Sequence, residues 1–391
     1  MDDFDRLVDR RGTNSIKHEF AKEYGMPEGL VPMWVADMDF SAPEAVAETL
    51  KEYVKRGVFG YTGVKEDYFN ALHNWFNKRF GFDIKPEWVV KTPGVIFAIA
   101  AAIDAFTGRG DGVMIQQPVY MAFYGCIGAA GRKVVNNPLV YENGVYRIDF
   151  DDFEQKIIDE KVKAFILCSP HNPVGRVWSA EELKRIGDIC INHGCLVVSD
   201  EIHCDFALPG HRHHIFGALG EKYLNNSIIC TAPSKTFNLA GLQAANIFIA
   251  DENIRKQFNE SVRRTGYGQP NATGLIACQS AYAHCGEWAD RLVGYLNNNF
   301  SYMKTFINEK IPRVRLAELQ GTYLAWLDFK GLKLPQGELE RFIVDKAGLW
   351  LSGGAAFGEG GEGFMRMNIA CPKTVLERAL AQLETAVNET A

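Results

Sequence analysis

The sequence predicts an α/β fold in which a mostly parallel sheet forms the larger of two domains. Short apolar runs typical of strands alternate with helical stretches through the middle of the chain, and this alternation is typical of parallel sheets covered by helices. With 391 residues, 47% of them hydrophobic, the chain is long enough for two domains. We place a large domain at residues 47–285 and a smaller α+β domain at residues 1–46 and 286–391.

The elements of the large domain follow from apolar runs bounded by turn residues. A strand is predicted at residues 89–92, and a helix is predicted to begin after Pro93 and Gly94. Five further strands are predicted near residues 113–116, 164–169, 196–200, 228–231 and 244–250.

The small domain is predicted from helical spacing and from strand-forming residues. Residues 287–309 carry apolar side chains at helical spacing and few helix breakers, so we expect a long connecting helix there. Strand formers are frequent in residues 315–329, and a final helix is expected at about residues 374–387. The glycine-rich residues 353–363 are predicted to form a flexible loop.

Composition excludes several classes of function. The net charge of -6 argues against a nucleic-acid-binding surface. Three of the first five residues are aspartates and the longest apolar stretch, 94–106, is interrupted by Asp104, so neither secretion nor a membrane span is expected. The nine cysteines are scattered, mostly within apolar runs, which favours buried thiols in a reducing cytoplasm.

Reactive or hydrogen-bonding side chains stand at or just after the ends of three predicted strands. The strand near residue 231 is followed by Lys235, the strand near residue 198 ends at Asp200, and the strand near residue 166 runs into a turn that contains Asn172. The carboxyl ends of parallel strands form the edge at which open α/β sheets bind ligands. An amine, a carboxylate and an amide at that edge fit pyridoxal 5'-phosphate (PLP): the lysine binds its aldehyde, the carboxylate keeps its ring nitrogen protonated, and the amide reaches its ring hydroxyl.

The chain resembles the fold-type I PLP-dependent enzymes of the class I/II aminotransferase superfamily, and more narrowly the MalY/PatB subgroup of cystathionine β-lyases. Asn172 and Asp200 are 28 residues apart and Asp200 and Lys235 are 35 apart, close to the distances in that superfamily. The subgroup is indicated by the segments MWVADMDF (33–40), SPHNPVGRVW (169–178), SDEIH (199–203) and MRMNIACP (365–372). The resemblance covers about residues 30–372 and implies a fold-type I PLP transferase-like fold.

The resemblance also implies which residues hold the cofactor. Lys235, Asp200 and Tyr120 are expected to be catalytic, with the Tyr120 ring stacked on the pyridine face, and Asn172 is expected at the ring hydroxyl. Free backbone N–H groups at the start of a helix can bind phosphate. Gly94, Val95 and Ile96 are therefore assigned to the cofactor phosphate, with Ser234 as a candidate hydroxyl donor to it. The resemblance adds His203 and Tyr61 as the remaining cofactor contacts. Ser234 can equally be an ordinary turn residue.

The substrate contacts and the oligomeric state are implied in the same way. Arg366 matches the arginine that pairs with the substrate α-carboxylate, a fork-shaped contact that lysine replaces poorly. Asn172 and the backbone around Ala36 are expected to share this contact. Tyr61 matches a tyrosine that reaches across a dimer interface into the partner's site, so the resemblance implies a homodimer with shared active sites.

Two positions depart from the general aminotransferase pattern. Gln243 stands where many members have a phosphate-binding arginine, and His203 stands where they usually have a tyrosine at the ring hydroxyl. No second arginine is clearly positioned for a dicarboxylate substrate, which disfavours aspartate and glutamate. The histidines in residues 211–214 lack the spacing of a zinc site, so no metal is expected.

These observations predict a PLP-dependent carbon–sulfur β-lyase. It would cleave L-cystathionine or a related cysteine S-conjugate to a thiol (homocysteine from cystathionine), pyruvate and ammonia, with Lys235 removing the Cα proton. Two alternatives stay open. One is an ordinary class I/II aminotransferase that uses the same residues, and the other is a regulatory binding protein with residual lyase activity.

Overall fold

The computed structural model describes residues 3–389. Its strands, in chain order, are β1 (Val31–Pro32), β2 (Val89–Thr92), β3 (Gly112–Ile115), β4 (Lys133–Asn136), β5 (Val140–Glu142), β6 (Val145–Arg147), β7 (Ala164–Cys168), β8 (Leu196–Asp200), β9 (Ser227–Thr231), β10 (Ala245–Phe248), β11 (Arg315–Leu316), β12 (Leu324–Asp328), β13 (Leu349–Trp350), β14 (Ser352–Gly353) and β15 (Phe364–Asn368).

The α-helices separate these strands along most of the chain. They are α1 (Ile16–Glu19), α2 (Glu44–Lys55), α3 (Glu66–Phe80), α4 (Val95–Phe106), α5 (Ala122–Ala129), α6 (Phe150–Asp159), α7 (Ala180–Asn192), α8 (Glu221–Leu224), α9 (Pro233–Thr236), α10 (Glu252–Arg264), α11 (Ala272–His284), α12 (Gly286–Lys310), α13 (Gln336–Asp345) and α14 (Lys373–Asn388). No helix within residues 3–389 combines the length and the apolar character needed to cross a bilayer.

A seven-stranded sheet carries the site, with the strand order β2-β10-β9-β8-β7-β3-β4. The pairs from β9 through β4 are parallel, whereas β10 is antiparallel to both of its neighbours. The prediction of a mostly parallel sheet is therefore confirmed. Each strand predicted in the large domain is present within two residues of its expected ends, and β4 is an edge strand that was not predicted.

The central strands are buried on both faces because helices cover each side of the sheet. Every residue of β7, β8 and β9 is buried. Alternate side chains enter two separate apolar clusters: Ile166 and Val198 join the cluster that contains α4, whereas Leu167 and Val197 join the one that contains α7. Helix α7 begins with a capping box between Ser179 and Glu182, which fixes its start.

A second, antiparallel sheet has the order β11-β12-β15-β14 and lies later in the chain. The predicted long helix and final helix are present as α12 and α14, which pack against each other. The expectation of a plain loop at 353–363 is corrected in part. Its first residue ends β14, residues 354–357 form a 3-10 turn, and Phe357 is fully buried. The domain boundaries at 46/47 and 285/286 stay a prediction.

Candidate functional site

The predicted site residues converge on one cavity at the carboxyl ends of β7, β8 and β9. The cavity has a volume of about 490 Å³. With one exception, Tyr61, all the predicted site residues line it: Ala36, Gly94, Val95, Ile96, Tyr120, Asn172, Asp200, His203, Ser234, Lys235 and Arg366. They come from segments that lie up to 330 residues apart in the chain, so the fold alone brings them together.

Asp200 is the last residue of β8 and presents a nearly bare carboxylate to this cavity. The residue is 5% exposed, and within residues 3–389 the one hydrogen bond to its carboxylate comes from the backbone N–H of Ile202, at 3.1 Å. The neighbouring strands place Cys168 and Cys230 beside it in register. Burial among these weakly polar groups raises the pKa of Asp200 to about 7. A buried acid with so few partners can hold a cationic group of a ligand.

Lys235 lies in the one-turn helix α9, whose first residue, Pro233, has the backbone angle that a helix start requires. Its Nζ donates a hydrogen bond to the carbonyl oxygen of Ala36, at 2.6 Å. Burial lowers the pKa of Lys235 to about 8, although the nearby carboxylates of Asp37 and Asp200 oppose this effect. A lysine in this state can act near neutral pH as a nucleophile or as a base.

Arg366 lies in β15 and presents a buried guanidinium. It donates to Asn172 Oδ1 at 2.9 Å, to the carbonyl oxygen of Trp34 at 2.7 Å and to Ser352 Oγ at 3.2 Å. Its Nε has no partner among the described residues, and none of their carboxylates lies within ion-pair distance. Burial lowers the pKa of Arg366 to about 10. Such an arginine is suited to bind a carboxylate supplied by a ligand.

The start of α4 forms another side of the cavity. Gly94 is the N-cap residue and offers no side chain to the first turn, so the backbone N–H groups that open the helix remain available. These groups and the helix dipole favour an anion such as a phosphate. Gln243 also lines the cavity, and among residues 3–389 Lys235 and Arg366 are the only lysine and arginine in the cavity lining. The departure at Gln243 is therefore not compensated by another basic side chain of the described chain.

Tyr120 and His203 are both largely buried beside the cavity. Burial raises the pKa of Tyr120 and lowers that of His203, so both side chains are neutral at pH 7. The His203 ring lies 5.8 Å from the ring of Tyr323, and its Nδ1 has no partner among the described residues. His203 can therefore still bond a ligand.

Tyr61 does not join the other site residues within its own chain. Its side chain is 93% exposed, and Val58 and Phe59 beside it are 72% and 63% exposed. Tyr61 lines a separate surface depression with Phe59 and residues 269–273. Within a single chain, Tyr61 therefore does not line the cavity that contains Lys235.

Sequence reasoning missed two residues that shape the site. The Tyr323 hydroxyl donates to the carbonyl oxygen of Ala36 at 3.2 Å, and Ser352 contacts Arg366 as described above. Tyr323 belongs to a segment predicted as a strand, but nothing in that pattern indicates where its hydroxyl reaches. Ser352 directly precedes the glycine-rich residues 353–363, and nothing in its sequence context indicates a site residue.

The histidine group at 211–214 has a structural explanation at one position. His213 is buried and its Nε2 lies 2.7 Å from Oε2 of Glu201, which is also buried. Throughout residues 3–389 there is no group of three potential ligands that could hold a metal ion. The absence of a metal stays a prediction.

The chain matches known proteins over nearly its whole length. The model of the family "Aminotransferase class I and II" matches residues 30–383. The cystathionine beta-lyase PatB of Bacillus subtilis is 42% identical over 386 residues, which cover 98% of this chain and 100% of PatB. Cystalysin from Treponema denticola, whose crystal structure contains PLP, has a TM-score of 0.96 and 37% identity and covers 100% of both chains. The PLP-bound C–S lyase of Staphylococcus hominis, complexed with L-cycloserine, has a TM-score of 0.93 and 33% identity and covers 99% of both.

Proposed function

We propose, from the premise that this chain belongs to the class I and II aminotransferase family, that it is a PLP-dependent carbon–sulfur β-lyase. Its substrates would be L-cystathionine or related cysteine S-conjugates, and its products a thiol, pyruvate and ammonia. One observation carries the proposal: a single cavity joins the buried acid Asp200, the amine of Lys235 and the guanidinium of Arg366, which has no carboxylate partner among the described residues.

The residues of the cavity fit PLP. When bound, PLP supplies an aldehyde that combines with amines and a protonated ring that accepts an electron pair. The nearly bare carboxylate of Asp200 would hold the ring nitrogen in its protonated state. The uncapped N–H groups at Gly94, Val95 and Ile96, with Ser234, would hold the phosphate, and Tyr120 would cover the ring.

Arg366 and Asn172 would bind the substrate α-carboxylate together. Their hydrogen bond of 2.9 Å fixes the guanidinium, and its contact with the carbonyl oxygen of Trp34 fixes the second nitrogen. The carboxylate would thus be held in one orientation, which sets the direction of the Cα–H and Cβ–S bonds.

Lys235 would remove the Cα proton as a general base. Burial favours its neutral form, and the neutral amine is the form that can accept a proton. The Cβ–S bond then breaks with its electron pair leaving on sulfur, so the thiol forms after protonation. One water molecule completes the balance when the remaining fragment is hydrolysed to pyruvate and ammonia.

Product analysis tests this proposal. The purified protein is incubated with L-cystathionine and with S-methyl-L-cysteine in the absence of a keto acid, and pyruvate and free thiol are measured. We expect the two products in equal amounts. Amine transfer that requires a keto-acid acceptor and leaves the C–S bond intact would instead identify an aminotransferase.

We also propose that the protein is a homodimer in which Tyr61 completes the partner's site. The exposure of Tyr61, Val58 and Phe59, each at least 63% accessible, supports this proposal, because contiguous exposed apolar surface is typical of an interface. Mixing inactive Tyr61→Phe and Lys235→Ala chains should restore activity above that of either parent, since each mixed dimer holds one intact site. A monomer in solution, or mixed dimers without recovery, would contradict the proposal.

A cytoplasmic location is the last part of the proposal. All nine cysteines are free thiols and eight of them are buried, which suits a reducing compartment.

A further inference from the structure

The helix α9, which carries Lys235, is only four residues long. A helix this short is not stable by itself, so contacts with the rest of the protein fix its direction. Within residues 3–389, its side-chain hydrogen bonds run from Lys235 Nζ to the Ala36 carbonyl oxygen, at 2.6 Å, and from Thr236 Oγ1 to Asp205 Oδ2, at 2.7 Å. When the amine leaves Ala36 to act on a ligand, the bond between Thr236 and Asp205 remains.

Asp205 is a buried carboxylate that has no role in the proposed reaction. Its side chain is 2% exposed, and its Oδ1 lies 3.2 Å from Nε of Arg79 on α3. Arg79 also pairs with Asp290, at 2.7 Å. Burial raises the pKa of Asp205, whereas Arg79 and the Thr236 hydroxyl oppose this effect. The carboxylate is therefore held from two sides, by an arginine on α3 and by a hydroxyl on α9.

Asp205 also stands close in the chain to Asp200, on the connection that leaves β8. Two backbone hydrogen bonds, at 3.0 and 2.9 Å, close successive turns within residues 201–206 and make this connection compact. The bond between Thr236 and Asp205 thus ties the connection that begins at Asp200 to the helix that carries Lys235.

We propose that Thr236 is a positioning residue whose hydroxyl, bonded to Asp205, holds the Lys235 amine in a fixed place relative to the Asp200 carboxylate. This placement does not depend on the reaction, whereas its effect on catalysis rests on the proposed function. Without the hydroxyl, α9 loses a link to the connection after β8 and should open locally more often.

Acetylation of Lys235 in the full-length, cofactor-free protein tests this placement. The protein is treated with N-hydroxysuccinimidyl acetate at low conversion, and the peptide that contains Lys235 is followed by mass spectrometry relative to the other lysine peptides. In Thr236→Val we expect Lys235 to react about tenfold faster, because the loss of one hydrogen bond favours local opening by about that factor.

The hydroxyl itself is tested by two further variants. Thr236→Ser keeps the hydroxyl and should restore most of the protection of Lys235, and a serine variant that reacts like Thr236→Val would overturn the proposal. Thr236→Ala removes the hydroxyl without adding a methyl group, so it takes the place of the valine variant if that chain does not fold.

Thr231→Val is the matched control. Thr231 ends β9, is 1% exposed like Thr236, and donates its hydroxyl to the Asn246 carbonyl oxygen at 2.8 Å. This variant also loses a buried hydrogen bond and should lose stability in urea, but Lys235 should react at the wild-type rate. If the two valine variants accelerate acetylation equally, or neither does, the proposal is wrong and Thr236 only stabilises the fold.

In the cofactor-loaded protein, Thr236→Val should lower kcat about tenfold and change KM less than about twofold, because the proposed carboxylate contacts of Arg366 and Asn172 stay in place. Faster acetylation of Thr236→Val in a protein without lyase activity would keep this inference and overturn the proposed function. A lyase whose Thr236→Val variant is acetylated at the wild-type rate would overturn this inference alone.

Discussion

Asp200 and Glu201 are consecutive residues with buried carboxylates, yet their surroundings differ completely. Glu201 accepts from Ser199 Oγ at 2.8 Å and from the Phe216 N–H at 3.0 Å, and it contacts His213 at 2.7 Å. The Asp200 carboxylate accepts only from the Ile202 N–H among the described residues. The Glu201 carboxylate thus has three partners within the protein, whereas the Asp200 carboxylate has one and can bind a cationic group of a ligand. Buried charge marks a ligand site only where the protein leaves it unpaired.

The same contrast separates two buried lysines. Lys17 is 1% exposed and pairs with Asp39 at 2.8 Å, so it fastens the N-terminal segment. Lys235 lines the cavity, and among the described residues its Nζ donates only to the backbone carbonyl oxygen of Ala36. Its neutral form is accessible for that reason.

The largest expected effect separates Asp200 from Glu201 in catalysis. In Asp200→Asn, kcat should fall roughly 10²- to 10³-fold, because a neutral amide no longer stabilises the protonated ring of the cofactor. Glu201→Gln should keep the activity of each folded molecule within about threefold. Steady-state lyase kinetics, corrected for the folded fraction, measures both. Near-normal turnover of Asp200→Asn would remove Asp200 from the proposed mechanism.

The same two substitutions should have the opposite ranking in their effect on stability: Glu201→Gln should destabilise the protein, whereas Asp200→Asn should not. The pKa of Asp200 is about 7 in the folded protein, against an ordinary 3.8, so the folded state holds this proton more tightly than the unfolded state. The resulting contribution to the free energy of unfolding is complete below pH 4 and is lost as the pH rises to 7. Cofactor-free Asp200→Asn should therefore be more stable than wild type above pH 7, by an amount on the order of 4 kcal/mol at most, and this advantage should vanish at pH 4.

Glu201→Gln should instead lose roughly 1–3 kcal/mol at neutral pH, since it weakens a satisfied buried network. Urea unfolding of both variants at several pH values measures the free energies. Equal destabilisation of the two variants at pH 8 would show that Asp200 is as well paired as Glu201.

A smaller effect is expected when the comparison is extended to two arginines. Arg176 already has a carboxylate partner, Glu182 at 2.5 Å, whereas Arg366 has none among residues 3–389. Arg366→Lys should lower kcat/KM about tenfold, mainly by raising KM, because an ammonium ion cannot make the forked contact with a carboxylate. Arg176→Lys should change kcat/KM little. Equal losses would indicate that Arg366 is structural.

Much of the fold was predictable because its signals are local. The apolar runs of β7, β8 and β9 and the helical spacing of α12 and α14 can be read within a few turns of chain, and the structure confirms them. Local signals did not indicate that β10 is antiparallel or that β4 exists, because strand direction and edge pairing depend on the course of the whole chain.

The sequence by itself determined which residue types stand at the strand ends and so indicated Lys235, Asp200 and Asn172, whereas Arg366 was indicated only by the family resemblance. Only the tertiary structure decided which charges are left unpaired. In a strand that is buried on both faces, apolar periodicity does not distinguish the face of Asp200 from that of Glu201. Likewise, the Arg366–Asn172 contact joins residues 194 positions apart, and the hydrogen bond from Lys235 Nζ to the Ala36 carbonyl oxygen joins residues 199 positions apart. Such contacts depend on long-range packing, which local sequence does not specify.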